Sequence, residues 1–372
     1  MRSTTLGICG ISLALASGAA FSADSSVTLY GIADAFIQYL GNGSAHSVSE
    51  RSGGASTSVF GLAGTEDLGG GLRTRFVLEN GFNINNGSLY LDSTAMFVRQ
   101  SWVGLQDDKY GMLTFGRQYG PGFYLVYPTD PFGLNDATSL YAGNMTAIDR
   151  NTLATQYDAG RADNSIMYQS PVVGGWRLRT MYAFASTATQ PLRKTSGNEF
   201  GATLTYSGYG LYAGVGYGNQ RSGTLSFPGL PAALDVPAAQ FFGASLAYRW
   251  GIVNLQFNYT YNRPDNASPG SLTTQLGSAH PYSVAQVGAT ISPSVVDTIE
   301  IGIVERNVRG AHDNAIGAQI GVDHLLSKRT SVYMRAGWIK NNGSSTASWS
   351  GVSVSAPGAT QVLAGVGIAH RF

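Results

Sequence analysis

The sequence predicts an all-β fold, a transmembrane 16-stranded antiparallel β-barrel, on three observations. Charged residues make up only 12% of the 372 residues, Gly numbers 49, and the 43% hydrophobic residues are spread along the chain rather than blocked. A soluble protein carries about 25% charged residues and about 7% Gly. Apolar residues recur with period two, the spacing of a strand with one apolar face. Sixteen such segments are joined by connections that alternate short and long, leaving both termini on the short-turn side. An even strand number, about ten residues per strand and short turns on one rim describe a barrel of the outer membrane.

The same numbers exclude other classes. A formal net charge of +1 argues against nucleic-acid binding, which wants a strongly basic domain. Disorder needs low hydrophobicity with high net charge, which is absent. After residue 22 no apolar run reaches the roughly 18 residues of a membrane helix.

Residues 1–22 read as an address. Met1-Arg2, the apolar stretch LGICGISLALASGAA and the small residues around Ala20-Phe21-Ser22 describe a secretory signal peptide. Cleavage is expected after Ser22, with Ala23 the alternative, leaving residues 23–372 as a single barrel domain. Cys9, the single cysteine, leaves with the signal, so no disulfide is available in the oxidising compartment the chain enters.

Strands are expected near 27–40, 56–66, 71–83, 94–106, 110–118, 163–171, 175–185, 198–207, 210–218, 240–249, 253–262, 283–292, 297–307, 314–324, 330–340 and 360–372. The cleanest alternation is VNLQFNYTY at 253–261: Val253, Leu255, Phe257, Tyr259 and Tyr261 share one face, and Asn254, Gln256, Asn258 and Thr260 the other. Short turns include Glu66–Gly70, Asp107–Lys109 and Ser292–Ser294; longer stretches centre near residues 48, 88, 140, 191, 229, 272, 310 and 350. Closure has a physical cause. Hydrocarbon offers no hydrogen-bond partner, so a sheet spans it only without an open edge. Tyr30, Tyr39, Trp102, Trp176, Tyr209, Trp250 and Trp338 fall near strand ends, where an interfacial aromatic girdle sits.

Several ordered motifs resemble the trimeric general porins of Gram-negative outer membranes, in their neisserial and betaproteobacterial branch. They are Ser26-Val27-Thr28-Leu29-Tyr30-Gly31, Phe60-Gly61-Leu62, Gly64–Leu72, Val103-Gly104-Leu105, Phe115-Gly116-Arg117-Gln118, Asn164-Ser165-Ile166 through Ser170-Pro171, and the closing Gly367–Phe372. The resemblance implies a homotrimer in contact with outer-membrane lipid and lipopolysaccharide, and a water-filled pore for small hydrophilic solutes. It also makes the terminal Phe372, after Val362, Val366 and Ile368, a signal for the assembly machinery. Val59 and Ala63 stand where the branch usually carries basic residues, and Arg75 where an apolar residue is more usual.

A sixteen-stranded barrel is too wide to fill with its own side chains, so something must narrow it. The longest connection, about 119–160, is expected to do so; by the resemblance it is the third loop, folded inward. It offers Asp130, Asp136, Asp149 and Asp158, and Phe123, Tyr124, Tyr127 and Phe132 as candidate solute-stacking aromatics. Alternation turns Arg73, Arg75 and Glu79 inward on the third strand, Arg177 and Arg179 on the seventh and Arg335 on the fifteenth. Arg99 and Arg117 are placed inward on less clean faces. An arginine on the lipid face at mid-membrane would cost about 2–4 kcal/mol. A basic wall facing an acidic loop predicts passive diffusion with weak anion preference. The alternatives are a substrate-specific channel on the same fold and a surface adhesin. His46, His280, His312, His324 and His370 form no ligand pair at strand or helix spacing. No catalytic triad is singled out, so no metal, cofactor or enzymatic activity is expected.

Overall fold

The computed structural model describes residues 25–92, 94–145, 150–155, 160–185, 198–225, 231–349, 351–352 and 354–372. The expected signal peptide and its cleavage site, and Asp149 and Asp158, lie outside the described residues.

Sixteen strands form one closed sheet. They are β1 (Ser26–Asn42), β2 in two pieces (Ala45–Ser52 and Val59–Gly69), β3 (Leu72–Gly81), β4 (Gln100–Asp107), β5 (Gly111–Tyr119), β6 (Arg161–Gln169), β7 (Trp176–Ala183) and β8 (Glu199–Gly208). They continue as β9 (Leu211–Gln220), β10 (Ala239–Trp250), β11 (Val253–Pro264), β12 (Tyr282–Ile291), β13 (Asp297–Val308), β14 (Asp313–Leu325), β15 (Thr330–Gly343) and β16 (Thr360–Arg371). Neighbours are antiparallel, and the ring closes where β1 pairs β16 from Ile32↔Arg371 to Asn42↔Gln361. Phe372 lies just past that seam, exchanging backbone hydrogen bonds of 3.0 and 3.1 Å with Gly31.

Burial along each strand is inverted relative to a soluble sheet. On β11, Leu255 and Phe257 are 53% and 39% exposed, whereas Asn258 and Thr260 are fully buried. Apolar residues therefore form the outer belt and polar ones the lining, as lipid outside and water inside require. The run Gly69-Gly70-Gly71 makes the turn between β2 and β3 with φ of +85°, +64° and +89°, a conformation nearly closed to residues with a Cβ.

Two connections differ from expectation. The stretch around residue 48 is strand, because β1 and β2 continue upward to a tight turn at Gly43-Ser44. The connection near residue 310 is also short, four residues between Val308 and Asp313.

The packed core lies inside the barrel, between the wall and the connection from β5 to β6. That connection carries two short helices, α1 (Pro121–Val126) and α2 (Leu140–Met145), and a 3-10 turn at Tyr127–Thr129. Leu125, Val126, Leu140 and Tyr141 pack with Val284, Val304, Ile339 and Trp349. Room for Leu125 comes from glycines on the wall: a Cβ at Gly214, Gly216 or Gly243 would lie within 2.7–2.9 Å of its methyl groups.

Candidate pore constriction

The narrowing starts from the break in β2. β1 pairs the upper piece up to Ala35↔Ser52 and the lower piece from Ile32↔Val59, so residues 53–58 leave the wall and project inward. Gly53 makes the exit with φ +81°. Asp34, fully buried on β1, holds the projection: its carboxylate accepts the backbone N–H groups of Gly54, Ala55 and Ser56 at 3.0, 2.9 and 2.7 Å. The Tyr333 hydroxyl from β15 donates to the same carboxylate.

The connection from β5 to β6 is fastened to this projection. Asn135 Nδ2 donates to the Gly53 carbonyl at 3.0 Å, the Thr138 hydroxyl to that of Gly54 at 2.8 Å, and the Thr57 hydroxyl to Asp136 at 2.8 Å. The two inward segments make one continuous shelf. Between the shelf and the β1–β5 wall lies a cavity of about 400 Å³, lined among others by Tyr30, Glu79, Arg99, Tyr119, Phe123, Tyr127, Asp136 and Arg161. Tyr30, expected in the girdle, instead donates to Glu79 at 2.8 Å.

The expected basic residues separate into five placements. Arg99 sits at the cavity, donating to Glu79 at 2.8 Å, Asp136 at 3.3 Å and the Tyr119 hydroxyl at 2.7 Å. The Asp136 contact spans from wall to loop, so opposite charges meet there directly instead of across water. Arg335 is held between Asp323 at 2.8 Å and Glu300 at 3.3 Å, with its guanidinium 5.8 Å from the Phe132 ring. Arg177 and Arg179 lie on the inner wall of β7; Arg179 donates to Gln169 at 2.9 Å and lies 4.7 Å over the Tyr124 ring.

Arg73, Arg75 and Arg117 stand elsewhere. Arg73 pairs with Asp108 at 2.9 Å and Arg75 with Gln106 at 3.0 Å, beside the short turn joining β4 and β5 and away from the shelf. Arg117 corrects the inward placement. Its partner in register is Ser101, and that of Ser101 is Leu78, so it stands on the outer face in line with Phe115. The physical reason is plain alternation from Leu113 and Phe115, and the irregularity between Gly116 and Gln118, opposite Asn164 with φ +52°, brings Asp163 within 2.6 Å of Arg117. An ion pair on that face replaces the lone charge that would be so costly in lipid.

Of the loop acids, Asp136 lines the cavity and Asp130 does not. Asp130 is 3% exposed, accepting from Leu134 N–H at 2.7 Å, the Ser139 hydroxyl at 2.7 Å, Gln286 at 2.9 Å and Phe132 N–H at 3.3 Å. It braces the loop against β12. Burial pushes its carboxyl above the ordinary range although these hydrogen bonds oppose the shift. The aromatics divide likewise. Tyr119, Phe123 and Tyr127 form a stacked row with centroids 3.9 and 5.2 Å apart. Tyr124 packs edge-on to Phe123, and Phe132 is 5% exposed, so both serve packing.

Sequence reasoning did not single out Asp34, Tyr119, Glu300, Asp323 or the placement of Arg161. Asp34 was the most visible of these, a lone carboxylate at an inward position of the otherwise uncharged IADAFIQYL run.

Comparison with known proteins places this architecture. The profile of the Gram-negative porin family matches residues 10–344. The chain is 30% identical to outer membrane porin protein 32 of Delftia acidovorans over 374 residues, covering 98% of this chain and 99% of that protein. It is 24% identical to the major outer membrane protein P.IA of Neisseria meningitidis over 345 residues, 85% of this chain and 81% of that one. The structure resembles an anion-selective porin from Comamonas acidovorans with a TM-score of 0.77 and 26% identity, covering 94% of this chain and 100% of the other.

Proposed function

The chain belongs to the Gram-negative porin family and is an outer-membrane channel for small solutes; from that premise we propose passive diffusion with a weak anion preference set on the β6–β7 side of the pore. The observation that carries this is charge pairing. Among the described residues no carboxylate pairs with Arg161, Arg177 or Arg179, whereas Arg99, Arg117 and Arg335 each meet one or two. Unneutralised fixed charge near a neck is what biases ion permeation. The match to a porin described as anion-selective agrees with this sign. In planar bilayers under a KCl gradient, the reversal potential should lie on the chloride side. A clear potassium-side value would overturn the reading.

The outer seam supports the homotrimer. Ala35, Ile37, Val332, Met334, Val366 and Ile368 line a shallow apolar groove across β1, β15 and β16, with Glu50 and His324 at its edges. A carboxylate on that face is better placed in a subunit contact than in hydrocarbon. Oligomers should migrate above the monomer in mild detergent and collapse on heating; monomeric migration without heating would count against assembly. Export by a cleaved signal at Ser22 or Ala23, assembly through Phe372 and contact with lipopolysaccharide complete the proposal.

A further inference from the structure

The cavity beside the shelf combines two surfaces that a simple ion filter does not need together. One is the stacked row Tyr119–Phe123–Tyr127, whose last ring is 49% exposed. The other is Arg161, whose guanidinium lies 4.4 Å over Tyr119 and donates from Nη2 to the Tyr119 hydroxyl at 2.7 Å. No carboxylate among the described residues occupies the rest of that guanidinium. The remaining charged groups of the cavity are already committed, since Arg99 bridges Glu79 and Asp136.

We propose that this cavity is a transient binding site for planar aromatic monocarboxylates. The inference rests on the pore reading above and deepens it. The solute ring lies against the exposed Tyr127 ring, and its carboxylate points along the shared cavity toward Arg161 at the Tyr119 end of the row. Offset stacking rewards a flat π-face over a saturated ring of similar size, and a guanidinium edge suits a carboxylate better than a hydroxyl. A second carboxylate on the solute would face Glu79 and Asp136, so monoanions are preferred.

The test uses the full reconstituted protein in planar bilayers in symmetric KCl. Sodium benzoate, sodium cyclohexanecarboxylate and glucose are added separately, and the fall in single-channel current is followed against concentration. Benzoate should reduce the current saturably, with a half-effect concentration about 2- to 12-fold below that of cyclohexanecarboxylate, the range expected of aromatic stacking. Tyr127→Leu should erase that difference, and Arg161→Gln should weaken both anions. Equal action of the two acids, no saturation by benzoate, or stronger action by glucose would overturn the site. A channel that keeps its chloride-side reversal potential while showing one of those results fails this inference alone; loss of the chloride-side potential in the unmodified protein fails the pore reading instead.

Discussion

Replacing Asp34 by alanine should widen the channel and make its open state noisy without unfolding the barrel. Three backbone N–H groups of the inward projection and the Tyr333 hydroxyl converge on this one buried carboxylate. Hydrogen bonds to a charged group are worth about 1.5–3 kcal/mol each, so the alanine variant loses several kcal/mol that hold residues 53–58 in place. The projection in turn carries the carbonyls of Gly53 and Gly54, on which Asn135 and Thr138 of the β5–β6 connection hang. Both halves of the shelf should loosen together. The ladders of β1 with β2 and β16 do not involve the carboxylate, so heat stability of the assembled barrel should change little. Single-channel conductance should rise roughly 1.5- to 3-fold, since the narrowest level controls flow. Tyr333→Phe removes one of the four partners and should give a smaller change in the same direction. Wild-type conductance and noise in the alanine variant would show that the shelf stands without its anchor.

How far the sequence reveals this architecture depends on which physical signal each part carries. Membrane-facing strands were legible because lipid outside and water inside impose alternation; VNLQFNYTY on β11 shows it without exception. The segment AHSVSERS at 45–52 is strand as well, but its lack of apolar alternation reads as loop. Facing is legible from alternation, and Arg117 follows it: it shares the outward parity of Leu113 and Phe115, which the inward placement set aside. Height along the pore was partly available: Arg73 follows Gly71 by two residues and Arg177 follows Gly175 by two, which sets both low on the wall, whereas Arg179, one step further up, reaches the Tyr124 ring. Pairing was not available. Arg335 meets Glu300 and Asp323 across β13, β14 and β15 through the registers Arg335↔Gly321 and Gly321↔Glu300, which no local pattern encodes. For the same reason the loop's acids could be counted but not assigned, and Asp130 turned out to be a brace while Asp136 reaches the cavity.

Neutralising Arg177 and Arg179 together should remove most of the anion preference, whereas neutralising Arg335 should cost stability first. The two changes remove equal charge per residue from the same inner wall, and their contrast follows from pairing. Arg177 and Arg179 have no carboxylate partner among the described residues, so Arg177→Gln with Arg179→Gln leaves no acid exposed and lowers the chloride-to-potassium permeability ratio toward unity with little change in heat stability. Among the described residues Arg335 is the only cation between Glu300 and Asp323, and it is 6% exposed. Arg335→Gln leaves two half-buried carboxylates facing each other, a loss below the roughly 3–5 kcal/mol that breaking a fully buried pair costs. Its oligomer should dissociate at a lower temperature, and its selectivity should move toward cations because the acids gain the field the arginine had cancelled. Heat-shift gels and reversal potentials on the same preparations separate the cases. An unchanged reversal potential in the double variant would relocate the anion filter away from β7. An Arg335→Gln channel with wild-type stability and selectivity would mean that Glu300 and Asp323 do not both carry charge, so that the arginine is one half of a pair instead of the centre of a triad.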